Sequence, residues 1–127
     1  MSKKLDGLVA EKLMGWEWRE IPAWLIPGSQ CCVRGKEILT PHGFEFPEDA
    51  PGLNFLDFQM SGYSTDISAA WGVVGKMFHR ELSLMLLGDD EGYRADFGKG
   101  RFTGPWCHSP AMAICKAALL AHGVQID

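Results

Sequence analysis

Ser64, Thr65 and Asp66 stand in a row within YSTDISAAW (63–71), and each can serve as an acid, a base or a nucleophile. A hydroxyl nucleophile needs a base such as histidine beside it and donors for the developing oxyanion. The histidines His42, His79, His108 and His122 share no motif with Ser64. Helix capping asks for less. The first amides of a helix lack partners, and a Ser or Thr hydroxyl just before the first turn accepts from one of them. The sequence therefore predicts that Ser64 or Thr65 caps a helix, with Asp66 in its first turn facing the positive end of the helix dipole. No P-loop, GxSxG, HExxH or paired-carboxylate signature is present, so no enzyme and no cofactor is expected.

The cysteines offer the next chemistry. Cys31 and Cys32 are adjacent, Cys107 precedes His108, and Cys115 falls in a predicted helix. None has the CxxC spacing of a zinc or redox site, so all are read as packed thiols and no metal is expected. Convergence of Cys31, Cys32, Cys107 and His108 would be needed to overturn that. Arg101, Trp106 and His108, near a helix start at Ser109, form a candidate aromatic, anion-attracting ligand site. The bland alternative is that Trp106 packs under the helix and Ser109 merely caps it.

The strongest charge signal is an acidic stretch. From Glu37 to Gly75 there are six acids and no Lys or Arg. Within 41–62 phenylalanines alternate with acids and hydrophobic periodicity fails, which is unusual for so long a loop in a compact domain. Phe44, Glu45, Phe46, Glu48, Asp49 and Asp57 are candidate partner contacts, the aromatics as anchors and the acids to meet a basic surface. The plainer reading folds the phenylalanines back onto the core.

Composition bounds the rest. With 127 residues, 46% hydrophobic and 22% charged, the chain is one globular domain large enough for a core without disulfides. A net charge of −4 disfavours non-specific nucleic-acid binding. Arg94, Lys99, Arg101 and Lys116 read as a solvated face. No run approaches the ~20 apolar residues of a membrane span, and the amino terminus lacks a signal-peptide apolar block, so a cytoplasmic setting is expected.

The elements that must position these residues follow from periodicity. A helix is predicted over 3–14, capped by Ser2 and stopped by Gly15, with Leu5, Leu8, Val9 and Leu13 on one face. Gly7 inside it implies close packing against another element. WEWRE, with Trp16 and Trp18 opposite Glu17 and Arg19, reads as a strand, as do 30–34 and 37–40; 53–60 is left open between strand and helix. After Tyr63, the stripe Ile67, Trp71, Val74 and Phe78 predicts an amphipathic helix with that face in the core. LSLMLL (82–87), apolar on both faces, predicts a central, covered strand. GDDEG turns it into a strand with Tyr93, Ala95 and Phe97 on one face, followed by 101–103. The last helix has Ser109 as cap, Pro110 at its first position, Gly123 as stop, and Ala111, Ile114, Cys115, Ala118, Leu119 and Ala121 on its packing face. The fold class is α+β, a mostly antiparallel sheet packed against three helices in layers.

LDGLVAEKLMGWEW, YSTDISAAWGVVGKM and SPAMAICKAALLAHG together resemble the phage ABA sandwich domain, a family of small tailed-phage and prophage proteins. The resemblance covers about a third of the chain, in helix-sized windows. It implies layered helix and sheet packing and a phage or prophage accessory protein inside a bacterial cell, and brings no catalytic residues, cofactor or substrate. The loop 41–62 departs from the shorter family pattern. The function expected is non-enzymatic inhibition of a host antiviral defence protein, in the manner of an anti-CRISPR protein. Its partner would be a host bacterial protein, such as a nucleic-acid-binding defence component, with no direct nucleic-acid contact and no membrane. The alternative is a sponge for the nucleotide signals of bacterial immunity.

Overall fold

A computed structural model describes residues 2–28, 31–46, 54–56 and 62–124. The described elements run α1 (Ser2–Lys12), β1 (Glu17–Glu20), β2 (Leu25–Pro27), β3 (Val33–Arg34), β4 (Glu37–Thr40), β5 (Asn54–Leu56), α2 (Ile67–His79), β6 (Leu84–Asp89), β7 (Gly92–Phe97), β8 (Phe102–Thr103) and α3 (Pro110–Ala121). This is an α+β fold, and its strands fall into three small sheets rather than one. Two are three-stranded and antiparallel, ordered β1-β4-β3 and β6-β7-β8; β2 pairs with β5 in parallel.

The helix α3 is the hub. It touches β7, β8 and β6 on the sheet side, and α2 and α1 elsewhere. Its sequence explains this. Ala111, Ala113, Ile114, Cys115, Ala117, Ala118 and Leu119 are all buried, and their small size lets other backbones approach from several directions. Ser109 caps it as predicted, its hydroxyl accepting from the Met112 amide at 3.2 Å, with Pro110 at the first helical position. From α1, Leu5, Val9, Ala10 and Leu13 join the same core, as do Ala95 and Phe97 of β7. Gly7 is the predicted close approach: a β-carbon there would sit 3.3 Å from the Cys32 sulfur.

Two expectations fail, for one reason. The large stripe of α2 does not face the core. Ile67 is 39%, Trp71 54% and Phe78 70% exposed, with Val74 half-buried, while Ala70, Val73 and Met77 are buried against α3. At 3.6 residues per turn these two stripes lie about 100° apart around the helix. Helix axes pack 8–10 Å apart depending on the side chains between them. Facing the alanine-rich α3, the alanine and valine side of α2 closes the distance, and Trp71 and Phe78 are left outside. Likewise β6 is an edge strand, not a covered central one: Met85, Leu86 and Leu87 are all exposed. Apolar character was taken as burial, and here it is not.

The hairpin β6–β7 is in register from Leu84↔Phe97 to Asp89↔Gly92, so GDDEG supplies the turn at its tip. Past the tip, Tyr93 and Cys107 exchange both backbone hydrogen bonds, at 2.8 and 2.7 Å, which carries the chain beyond β8 back against β7.

Candidate functional site

The Ser64–Thr65–Asp66 row forms the junction into α2. Asp66, rather than Ser64 or Thr65, caps α2: its backbone is extended and its carboxylate accepts from the Ser68 amide at 2.9 Å. A cap of this kind contributes about 1 kcal/mol. Ser64 is fully buried, and its amide donates to Asp6 Oδ1 of α1 at 2.7 Å. The Ser109 hydroxyl reaches the Ser64 carbonyl at 3.5 Å. The segment before α2 is thus pinned between α1 and the start of α3. The Ser64 hydroxyl is buried and has no hydrogen-bond partner among the described residues. The sequence reading missed Asp6. Its signal was an acid flanked by Leu5 and lying one turn before Ala10 on the buried side of a helix. Such a carboxylate must find a donor.

The thiols beside this junction are suppressed. Cys107 is pushed up by burial, with Lys116 opposing, and Cys115 is pushed up to about 12 by burial first, then by the negative charges of Asp6 and Cys107. A raised thiol pKa means that the unfolded chain ionises first. Stability conferred by the buried neutral Cys115 is complete below pH 9.0 and is lost as pH rises from there toward 12. The expected slope from this group is about 1.4 kcal/mol per pH unit. Cys115→Ala should flatten the fall in denaturation midpoint over that window, measured by chemical unfolding at several pH values. An unchanged slope would refute the assignment. All four cysteines are free, and among the described residues no group of three or more His, Cys, Asp or Glu side chains converges on a metal-sized site.

The candidate ligand residues are spread out. Arg101 sits at the β7–β8 turn with its guanidinium 5.2 Å from the Phe102 ring centre. Trp106, 41% exposed, lies beside the Tyr93–Cys107 bridge, and His108 is exposed beyond it. The Phe97 and Tyr93 ends of β7 are about 13 Å apart at the usual strand rise. The cation that does meet Trp106 is Arg94, at 5.0 Å.

Of the candidate partner contacts, Phe44, Glu45 and Phe46 are described, and Glu48, Asp49 and Asp57 lie outside the described residues. Phe44 and Phe46 meet edge to face at 5.6 Å, and Arg19 of β1 lies 4.7 Å over Phe46 while donating to the Phe44 carbonyl. Both rings are half-buried, and Glu45 between them is exposed. The phenylalanines therefore fold back as a ledge on β1, leaving the carboxylate outward.

Among the described residues the most exposed aromatic side chains, Trp71 and Phe78, lie instead on the outer face of α2. Ile67, Trp71, Val74 and Phe78 follow the i, i+4, i+7, i+11 spacing by which a helix presents anchors to a groove. The α2 carboxyl end carries Lys76 and His79, and Arg80 follows, 2.6 Å from His122 Nδ1. Among the described residues no helix is long and apolar enough to cross a membrane.

A solved structure of a phage protein from Bacillus cereus ATCC 14579, at 2.0 Å, is similar to this chain over 100% of its length and 92% of that protein's. The TM-score is 0.61 at 18% identity, which speaks for a shared fold alone. No curated protein matches the chain. The sequence profile of the phage ABA sandwich domain matches residues 7–119, a span that runs from Gly7 within α1, through the turn before α2, to within two residues of the end of α3. The chain belongs to the phage ABA sandwich domain family.

Proposed function

We propose that this phage protein acts in the bacterial host cytoplasm by binding a protein rather than by catalysis, and that its target is a host antiviral defence protein which it inhibits. The observation that supports this reading is the outward stripe of α2. Exposed tryptophan and phenylalanine on a rigid helix are the residue types that dominate binding energy at interfaces. Their helix is held by the Asp66 cap and by α3, so little ordering entropy is lost on docking. Glu45 on the Phe44–Phe46 ledge offers a second, acidic contact for a basic target.

The test is affinity capture from the bacterial host with the full chain, followed by assay of the recovered partner. A stoichiometric partner that belongs to an antiviral system, and whose activity falls when the purified protein is added, is the expected result. Recovery of no stoichiometric partner, or of one whose activity is untouched, would overturn the reading.

A further inference from the structure

We infer that two copies of this chain pair antiparallel along their β6 edges, joining two β6-β7-β8 sheets into one continuous sheet. This surface is separate from the α2 face, and the inference stands whether or not that face binds a host protein.

The backbone sets the register. Tyr93 and Ala95 turn their hydrogen-bonding groups toward the β8 side: Tyr93 exchanges with Cys107, and the Ala95 carbonyl accepts from Gly104 at 3.0 Å. In an antiparallel ladder these groups alternate sides residue by residue. Gly88, Leu86 and Leu84, the β6 residues opposite Tyr93, Ala95 and Phe97, therefore direct their amides and carbonyls to the open edge. No other strand among the described residues pairs there. A two-fold axis at Leu86, perpendicular to the sheet, sets Leu86 opposite Leu86 of the second copy and Leu84 opposite Gly88 of the second copy. Each such pair can exchange both of its N–H···O bonds. The same axis puts Met85 across from Leu87 of the second copy on the outer face, and these two are 53% and 44% exposed in the single chain. They form the closer, non-hydrogen-bonded type of pair, where side-chain contact is greatest.

Two features select a second copy as the occupant. The strand carries little of what protects an edge: LMLLGD has no proline, no lysine and no break in its pairing with β7, and its one charge, Asp89, stands at the hairpin tip. Charge along it is also polarised. Its far end runs into Asp89, Asp90 and Glu91, with Arg94 opposite Leu87 offsetting one of them, whereas the chain around Leu84 and its partner Phe97 carries Arg80, Lys99 and Arg101 against Glu81 and Asp96. Antiparallel pairing lays the acidic end of each copy beside the basic end of the other, an arrangement a two-fold axis provides twice.

The full chain is expected to run at twice its 14.1 kDa mass by light scattering at about 100 µM, well above a micromolar dissociation constant. Met85→Lys with Leu87→Lys sets lysine against lysine across the axis and should give a folded monomer whose melting temperature, unlike the parent's, does not rise with protein concentration. Separately, Met85→Lys and Leu87→Glu chains should each pair poorly, and an equimolar mixture should recover the dimer, with at least a tenfold gain over either alone. A monomeric parent at that concentration overturns the inference, as does a double-lysine variant that stays dimeric. If the double variant does not fold, the mixture decides, and a mixture no better than its components overturns it.

Discussion

Gly92→Ala is expected to lose at least about 3 kcal/mol of stability, a large share of the 5–15 kcal/mol typical of a domain. A β-carbon at this position would stand 2.3 Å from the Cys107 carbonyl oxygen and 3.3 Å from its carbon, both backbone atoms with no rotamer to yield. The φ of +130° adds strain for any L side chain. Relief would require Cys107 to move, and Cys107 is tied to Tyr93 by two short backbone hydrogen bonds. The same strand carries Ala95 and Phe97 into the core, so the damage is not local. Gly75→Ala is the matched control. It lies inside α2, where an added methyl meets nothing within 4 Å, and should gain up to about 1 kcal/mol from helix propensity. Thermal and chemical denaturation of the pair settles the point; a Gly92→Ala melting temperature within about 2 °C of the parent would refute it.

Trp71→Asp and Phe78→Asp are expected to divide stability from binding. Each side chain is more than half exposed, so its loss should change unfolding free energy by only about 0.5 kcal/mol. If the outer face of α2 docks on a host protein as proposed, each substitution removes an aromatic anchor and puts a carboxylate in its place. Affinity should then fall by about 30-fold or more per site, the scale of a 2 kcal/mol hot spot. The stability arm can be read without a partner in hand. Had the stripe been core, as the periodicity implied, either change would unfold the chain. A host complex that tolerates both substitutions would move the docking surface elsewhere and leave the fold unaffected.

Much of the local structure was legible because its causes are local. Ser109, Pro110 and the alanine-rich run that follows specify the start of α3 through amide satisfaction and fixed φ, which need no distant partner. GDDEG between two β-forming runs specified the hairpin, and the alternation of Ala95 and Phe97 specified its buried face. Gly7 signalled a close neighbour, although only the folded chain names it as Cys32. The short strand β2 and its parallel partner β5 were not legible, since neither is long enough to show a period. The cap of α2 was misplaced by a residue or two because Ser64, Thr65 and Asp66 can all do that task. The helix begins at Ile67, so the capping position falls to Asp66, while the Ser64 amide is held by Asp6 from 58 residues away.

The sequence by itself determined the α+β class, the three helices and two of their caps' neighbourhoods, the hairpin, and the absence of any recognisable catalytic signature. Those follow from hydrogen-bonding needs and side-chain period within a few residues. Only the tertiary structure decided which apolar surfaces are inside. Hydrophobicity tells that a side chain gains by leaving water, but not which neighbour will cover it. On α2 the small face won because two helices approach most closely across alanine and valine, and the aromatic face was left to solvent. On β6 the open edge remained because the strand order ends there. Both outcomes depend on how distant segments compete for the same surface of α3 and β7.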